Sequence, residues 1–213
     1  MGVSPMRIGC MGETPMPLKT MEAFKIAIKL YVQDASFLTQ DEFVPIFHSW
    51  IQSSAFPDHI LIDVADYAHV KDGPGTLLVA HEANYYIDKS DGRLGLTYSR
   101  KQLAPGSLKD RLKQAITAAI EAASKLESDP RIEGRIKFNT DELLITLNDR
   151  LLAPNTPETL AAIEPLLREA ISEIFNTTAP KLERILGERA LFQVRAKLTN
   201  APADLSSLQA PSR

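Results

Sequence analysis

Residues 96–120, "LTYSRKQLAPGSLKDRLKQAITAAI", join a predicted strand to a predicted helix, and this connection indicates the class of fold. The helix begins at Ser107, and its apolar residues recur every three or four positions, as in a helix that packs along one side. We expect this helix to end near Leu126. Its apolar stripe consists of Leu108, Leu112, Ala115, Ile116, Ala119, Ile120 and Ala123.

The same order of elements returns in residues 145–171, "ITLNDRLLAPNTPETLAAIEPLLREAI". In each case a strand leads through Leu-Ala-Pro, at 103–105 and at 152–154, to a capped amphipathic helix. One interpretation is a duplicated hairpin–helix unit, with copies at 76–126 and 135–175. The other is independent use of a favourable strand-to-helix connection, and the sequence leaves the two open.

The remaining elements follow from the same periodicities. Residues 24–32 alternate apolar side chains with others, which predicts a strand with one buried face. Residues 59–67 are apolar enough for a central strand, and 76–88 have the pattern of one long strand. The other predicted elements are a helix at 39–51 containing Pro45, a strand at 93–101, a hairpin at 135–154 that turns near Asn139, a helix from Thr156 and Pro157 to about Phe175, and a strand at 191–198.

Strands and hairpins that alternate with three long helices predict an α+β fold. We expect a two-layer sandwich, in which an antiparallel or mixed sheet carries about three helices on one face. Residues 1–20 are rich in Met, Pro and Gly and predict a flexible leader. We expect a single domain over 21–198 and a flexible, polar tail over 199–213.

The composition narrows the classes of function. The 213-residue chain has a net charge of -3, which argues against a nucleic-acid partner because it gives no general attraction to phosphates. Basic residues do gather between Arg93 and Lys113, which we interpret as solvated surface, with a patch for acidic partners as the alternative. The single cysteine, Cys10, cannot form an internal disulfide, and no run approaches the ~18 apolar residues of a membrane helix. We therefore expect a soluble, cytoplasmic protein with no membrane partner.

A group of titratable residues lies around the connection between two predicted strands. Imidazole and carboxylate groups are common metal ligands and general acids or bases, so residues 63–82 form a candidate polar or ligand site. The adjacent His81 and Glu82 would point to opposite faces of one continuous strand, which argues against a shared site. The metal, the cofactor and the catalytic residues stay unknown at this stage. The candidate residues are Asp63, Asp66, His69, His81 and Glu82.

A structural role for these residues is the competing interpretation. On a mostly apolar face, His81 would be a core histidine that bonds to a backbone carbonyl group. Asp63, within an apolar strand, must be paired or hydrogen-bonded, and Arg93 and Arg100 are candidate partners. Asp66 would cap the turn that follows its strand.

Tyr67, Tyr85 and Tyr86 lie in the same region and are candidates for a pocket or a subunit interface, because a tyrosine combines an apolar ring with a polar end. A sheet with helices on one face leaves its other face to be covered, so we expect a homo-oligomer, such as a homodimer. The residues predicted to form that second face are Leu78, Ala80, Asn84 and Tyr86.

The sequence contains no Gly-x-Ser-x-Gly motif and no phosphate-binding glycine loop. We therefore expect a non-enzymatic protein that acts through homo-oligomeric assembly or by binding a protein partner or a small ligand. The alternative is a metal-dependent or acid–base enzyme with its site in residues 63–82.

Overall fold

The computed structural model describes residues 23, 25–33, 39–67, 69–70, 73–132, 134–177, 180–187 and 190–208. The predicted leader, residues 1–20, lies outside the described residues, as does the end of the predicted tail. The strands are β1 (Ile26–Val32), β2 (Leu61–Tyr67), β3 (Gly75–Ala80), β4 (Ala83–Asp88), β5 (Gly95–Arg100), β6 (Phe138–Leu147), β7 (Lys181–Arg184) and β8 (Phe192–Lys197). The α-helices are α1 (Phe43–Gln52), α2 (Leu108–Glu127) and α3 (Pro157–Phe175).

The eight described strands form one sheet in the order β2-β3-β4-β5-β1-β6-β8-β7, and every neighbouring pair is antiparallel. This sheet, together with three helices, confirms the predicted α+β fold. The central strand β1 has β5 on one side and β6 on the other, so its two partners come from later parts of the chain.

The hydrophobic core lies between one face of the sheet, here called the helix face, and the three helices. Alternate β1 residues Ile26, Ile28 and Leu30 join the same core cluster as side chains from all three helices. Side chains of the opposite face, here called the open face, such as Tyr31 and Leu144, are not part of that cluster. The arrangement matches the predicted two-layer packing.

The helix ends are set by local sequence. Ser107 and Asp110 form a capping box at the start of α2, and the Thr156 hydroxyl accepts the Thr159 N–H at the start of α3. Both Leu-Ala-Pro connections bury their alanine, Ala104 and Ala153. The two predicted helices are therefore confirmed, and the strands that lead into them, β5 and β6, flank β1 symmetrically.

Two segments differ from the structure that their sequence patterns suggest: the beginning of α1 and the residues that follow β8. Pro45 lies in the first turn of α1, where a missing N–H costs nothing, so it marks the beginning of the helix and not a kink. Residues 199–208 carry Leu205 and Leu208, which are buried against the core, so the packed part of the chain extends to residue 208.

The predicted central strand at 59–67 is wrong in its position. Strand β2 pairs only with β3 among the described strands and forms one edge of the sheet. Its Val64 packs against the core, whereas Ile62 is 56% exposed. An apolar run does not distinguish a central strand from an edge strand that faces a partner, because both contain few charges.

The predicted single strand at 76–88 is also wrong. Strands β3 and β4 form a hairpin whose two-residue connection is His81-Glu82, since Val79 lies opposite Asn84. A two-residue connection reverses the direction of the chain and changes which side chains share a face. The open face therefore carries Leu77 and Val79 with Asn84 and Tyr86, and not the predicted Leu78 and Ala80, which face the helices.

The predicted hairpin at 135–154 is a single strand. Strand β6 continues without a turn from Phe138 to Leu147, and pairs with β1 on one side and β8 on the other. Asn139 and Asp141, which suggested a turn, belong to this strand. The second copy of the proposed repeat therefore lacks a hairpin and shares only the strand, the Leu-Ala-Pro connection and the helix with the first.

Candidate binding surfaces

The predicted polar site residues lie along β2 and at the hairpin connection, and they do not converge. His81 and Glu82 lie beside the Leu61 end of β2, because the His81 N–H donates to Ile60 O over 2.8 Å. Asp66 and His69 lie at the other end, roughly 15–20 Å away at the rise of a strand. Within the described ranges, no three His, Cys, Asp or Glu side chains come close enough to hold a metal ion.

The histidine and glutamate of the connection are surface residues. His81 is exposed, with its Nε2 2.9 Å from Gln102 Nε2, so the predicted core histidine is wrong. The Glu82 carboxylate accepts the Ile60 N–H over 2.9 Å and fixes the start of β2. The pKa of Glu82 is lowered overall. Burial raises this pKa, but the hydrogen bonds that the carboxylate accepts from the Ile60 N–H and from its own N–H lower it by more.

Asp63 is an exposed edge residue. Its carboxylate accepts the Val64 N–H over 2.8 Å, which satisfies it without the predicted Arg93 or Arg100. Arg93 instead donates to Glu142 over 2.7 Å. A carboxylate that caps an N–H of an edge strand is one of the devices that hinder strand-to-strand pairing.

The three candidate tyrosines occupy three different environments. Tyr85 is fully buried on the helix face, so it cannot take part in an interface as the sequence suggested. Tyr86 lies half-buried on the open face, and burial raises its pKa despite a hydrogen bond with Ser99. Tyr67 is 41% exposed at the end of β2, opposite Gly75.

An aromatic cluster around His59 is a feature that the sequence interpretation missed. His59 Nδ1 lies 2.5 Å from the Tyr85 hydroxyl, and its Nε2 lies 3.4 Å from Nη1 of Arg100. Because a guanidinium can only donate, Nε2 is the acceptor and Nδ1 carries the proton that bonds to Tyr85. The ring stacks on Tyr98, and Phe56 stacks on Tyr85 from the other side.

The protonation of His59 is coupled to stability. Burial lowers its pKa from 6.5, and the positive charge of Arg100 lowers it further, against weaker opposite effects of Glu82 and Asp58. His59 therefore binds a proton more tightly in the unfolded chain than in the folded protein. This difference does not lower the free energy of unfolding above about pH 6.5, but the free energy of unfolding decreases as the pH falls below that value.

We expect His59→Gln to flatten this dependence between pH 7.5 and 5, and to cost about 1–2 kcal/mol at pH 7.5 through the lost bond to Tyr85. Urea unfolding at several pH values measures both quantities. His48→Gln, at an exposed position of α1, should keep the wild-type profile. Parallel profiles for wild type and His59→Gln would contradict the assignment.

A buried ion network on the open face was also missed. Lys29 is 4% exposed, and its Nζ donates to Asp88 over 2.9 Å and to Asp91 over 2.6 Å. The Tyr31 hydroxyl donates to Asp91 over 2.6 Å, which raises the tyrosine pKa, after the larger effect of burial. The Thr97 hydroxyl donates to the other oxygen of Asp88. The network ties the centre of the sheet to the β4–β5 turn.

Beyond this network, the open face becomes apolar towards β2. Leu77, Val79 and Tyr86 are half-buried there and lie outside the core cluster. At the adjoining edge, Ile60 and Ile62 are 65% and 56% exposed. The opposite edge, β7, is only four residues long and carries Lys181, Glu183 and Arg184, a typical way to prevent edge pairing.

No protein-family model matches the chain, and the search of curated proteins returns no match. No helix in the described ranges is both long enough and apolar enough to span a bilayer.

Proposed function

We propose that the protein acts by assembly, and that the free edge formed by β2 pairs with a second copy of the chain in a homodimer. The observation that supports this proposal is the contrast between the two sheet edges. β7 has four residues, of which three are charged, whereas the seven-residue β2 exposes Ile62 and Tyr67 beside Asp63 and Asp66 and continues into an apolar part of the open face. An exposed apolar edge promotes aggregation of a monomer, whereas in an oligomer it is buried in the interface.

A second copy suits this edge because antiparallel pairing of identical strands generates a two-fold axis. If the axis passes through Val64, Asp63 of one protomer lies opposite Ala65 of its partner, and Ile62 lies at the register shift where this regular stretch of β2 ends. No like charges then oppose each other, which would otherwise destabilise the pair. The Val64 N–H must exchange its Asp63 partner for a carbonyl group of the second copy.

Sedimentation velocity tests the proposal. We expect wild type to sediment as a dimer at about 10 µM, and Ile62→Lys to weaken association at least about tenfold by placing a charge in the apolar edge. Leu151→Lys is the matched control, because Leu151 is 89% exposed on a loop away from β2. A wild-type protein that stays monomeric at about 100 µM would refute the homodimer.

Asp63 provides a separate prediction. We expect Asp63→Ala to tighten self-association roughly fivefold, about 1 kcal/mol, because the Val64 N–H becomes free to pair with the second copy. Asp41→Ala removes the same charge at an exposed position near α1 and should leave the dissociation constant unchanged. Weaker association of Asp63→Ala would show that the copies meet elsewhere.

The alternative function, an enzyme with its site in residues 63–82, gains no observation in its favour. Asp63, Asp66 and His69 are exposed along the β2 edge, and His81 bonds to Gln102 at the opposite end of the strand. General acid–base catalysis needs its groups within hydrogen-bond reach of one substrate, which this spread does not offer.

A further inference from the structure

A small cavity lies where the end of β5 meets the beginning of α2. Its volume is about 10 Å³, the space of one water-sized atom. Gln114, which is exposed, borders it on the solvent side. In the part of the chain that the structure describes, no acidic residue lines it: the described lining residues are Ile26, Tyr98, Arg100, Ala104, Arg111, Gln114 and Ala115.

The two arginines at this cavity have no acidic partner among the described residues. Arg100 donates to Gln102 O over 3.2 Å and to the Tyr98 hydroxyl over 3.3 Å. Arg111 donates through Nε to Gly106 O over 3.1 Å, and its Nη1 is buried without any hydrogen-bond partner in the described part of the chain. Lys109 and Lys113, which are also partly buried and lie on the same helix as Arg111, both pair with Glu173.

Two guanidinium groups at one cavity repel each other, and a buried donor without an acceptor is costly. An anion between them removes both penalties at once. A guanidinium fork matches the two oxygens of a carboxylate, and a cavity of this size accommodates one oxygen while the rest of the group faces solvent. We propose that Arg100 and Arg111 form a binding site for the carboxylate group of a small ligand.

This site is independent of the proposed homodimer, since it lies on the helix side of the sheet and uses no residue of β2. A bound carboxylate would also lie beside Arg100, whose guanidinium faces His59 and forms no ion pair with any described residue. The site thus gives a role to two members of the basic group at 93–113.

Thermal unfolding in sodium acetate and in sodium chloride of equal ionic strength tests the site. For a site with a dissociation constant of about 1 mM, we expect the wild-type Tm in about 100 mM acetate to exceed that in chloride by roughly 5–10 °C. Acetate also stabilises proteins non-specifically, so the decisive quantity is the loss of this difference in Arg111→Gln. Arg150→Gln, at an exposed position that does not line this cavity, should keep the full difference. An equal acetate effect in wild type and Arg111→Gln would overturn the proposal.

A second measurement does not depend on the folding of a variant. In a ¹H–¹⁵N spectrum of the wild-type arginine side chains, the Nε signal of Arg111 should shift saturably as acetate replaces chloride. The Nε signal of Arg150 should not saturate. A linear drift of both signals would overturn the proposal even if the variants unfold.

Discussion

Lys29→Met should be among the most destabilising single substitutions, with a loss of about 3–5 kcal/mol in the free energy of unfolding. The change keeps the side-chain volume but leaves the Asp88 carboxylate, which is 3% exposed, without its cation. Asp91 loses its ammonium partner as well and keeps the Tyr31 hydroxyl. Urea unfolding at pH 7 measures the loss.

The control for this substitution is Lys137→Met. Lys137 also bridges two acids, Glu127 at 3.2 Å and Asp204 at 3.4 Å, but it is 52% exposed. Water screens such a pair, so the cost should stay below about 1 kcal/mol. If Lys29→Met and Lys137→Met lower the free energy of unfolding equally, burial of the Lys29 network contributes nothing to stability.

The double variant Lys29→Met with Asp88→Asn isolates the pair. Because each single change leaves a buried partner unsatisfied, the double variant should be less destabilised than the sum of the two, with a coupling of roughly 1–3 kcal/mol. Additive losses would mean that the two groups do not interact in the folded protein.

Gly95→Ala is the second large effect, an expected loss of roughly 2–3 kcal/mol. A Cβ atom at Gly95 would lie 2.6 Å from the Leu30 carbonyl oxygen and 2.6 Å from Cε of Lys29. The first contact is with backbone and cannot be relieved by a rotamer change. Replacing glycine by alanine within a strand normally stabilises a protein by about 0.5–1 kcal/mol, so a loss of stability in Gly95→Ala indicates a steric clash. Thermal and urea unfolding both report it.

Gly134→Asn provides the comparison for Gly95. Gly134 has φ +72°, and a Cβ atom added there would meet nothing within 4 Å. Asparagine tolerates this backbone conformation, so the substitution should change stability by less than about 1 kcal/mol. Gly95 thus lacks space for a side chain, whereas Gly134 has the space but a left-handed backbone. A stable Gly95→Ala variant would mean that β1 and β5 can separate at this point without loss.

Helices were predictable from the sequence because their ends are encoded locally. Ser107 and Asp110, or Thr156 and Pro157, act within one turn of the chain, so the sequence pattern and the structure agree on where α2 and α3 begin. The strand alternation of β1 was equally local, and it correctly separated Ile28 and Leu30 from Lys29, but the prediction of one buried face was wrong because all seven residues of β1 are buried.

The errors concern features that no local pattern encodes. The β3–β4 connection, His81-Glu82, contains no glycine or asparagine and neither residue has a positive φ, so the usual hairpin signal is missing. The position of β2 at an edge depends on which strands pair, and the residues of β2 alone do not encode that pairing.

The candidate site was predictable only in part. The acids at 88 and 91 were visible as turn residues, but their partner Lys29 precedes them by a long stretch of chain and meets them only after β1 has paired with β5. Arg100 and Arg111 were visible as members of a basic group, yet the absence of acidic residues from the described lining of their cavity depends on the fold. The contact between His59 and Tyr85 was not predictable, because it depends on how the β3–β4 hairpin places Tyr85 beside the His59 ring.

The central position of β1 also has a consequence for synthesis on the ribosome. β1 is the first of the described strands to emerge, but its partners are residues 95–99 and 138–147. At about 5–20 residues per second, one edge of this apolar strand stays unpaired for roughly ten seconds before β6 can pair with it. We expect the charge of Lys29, in the middle of that strand, to hinder association with other nascent chains until Asp88 and Asp91 have been synthesised.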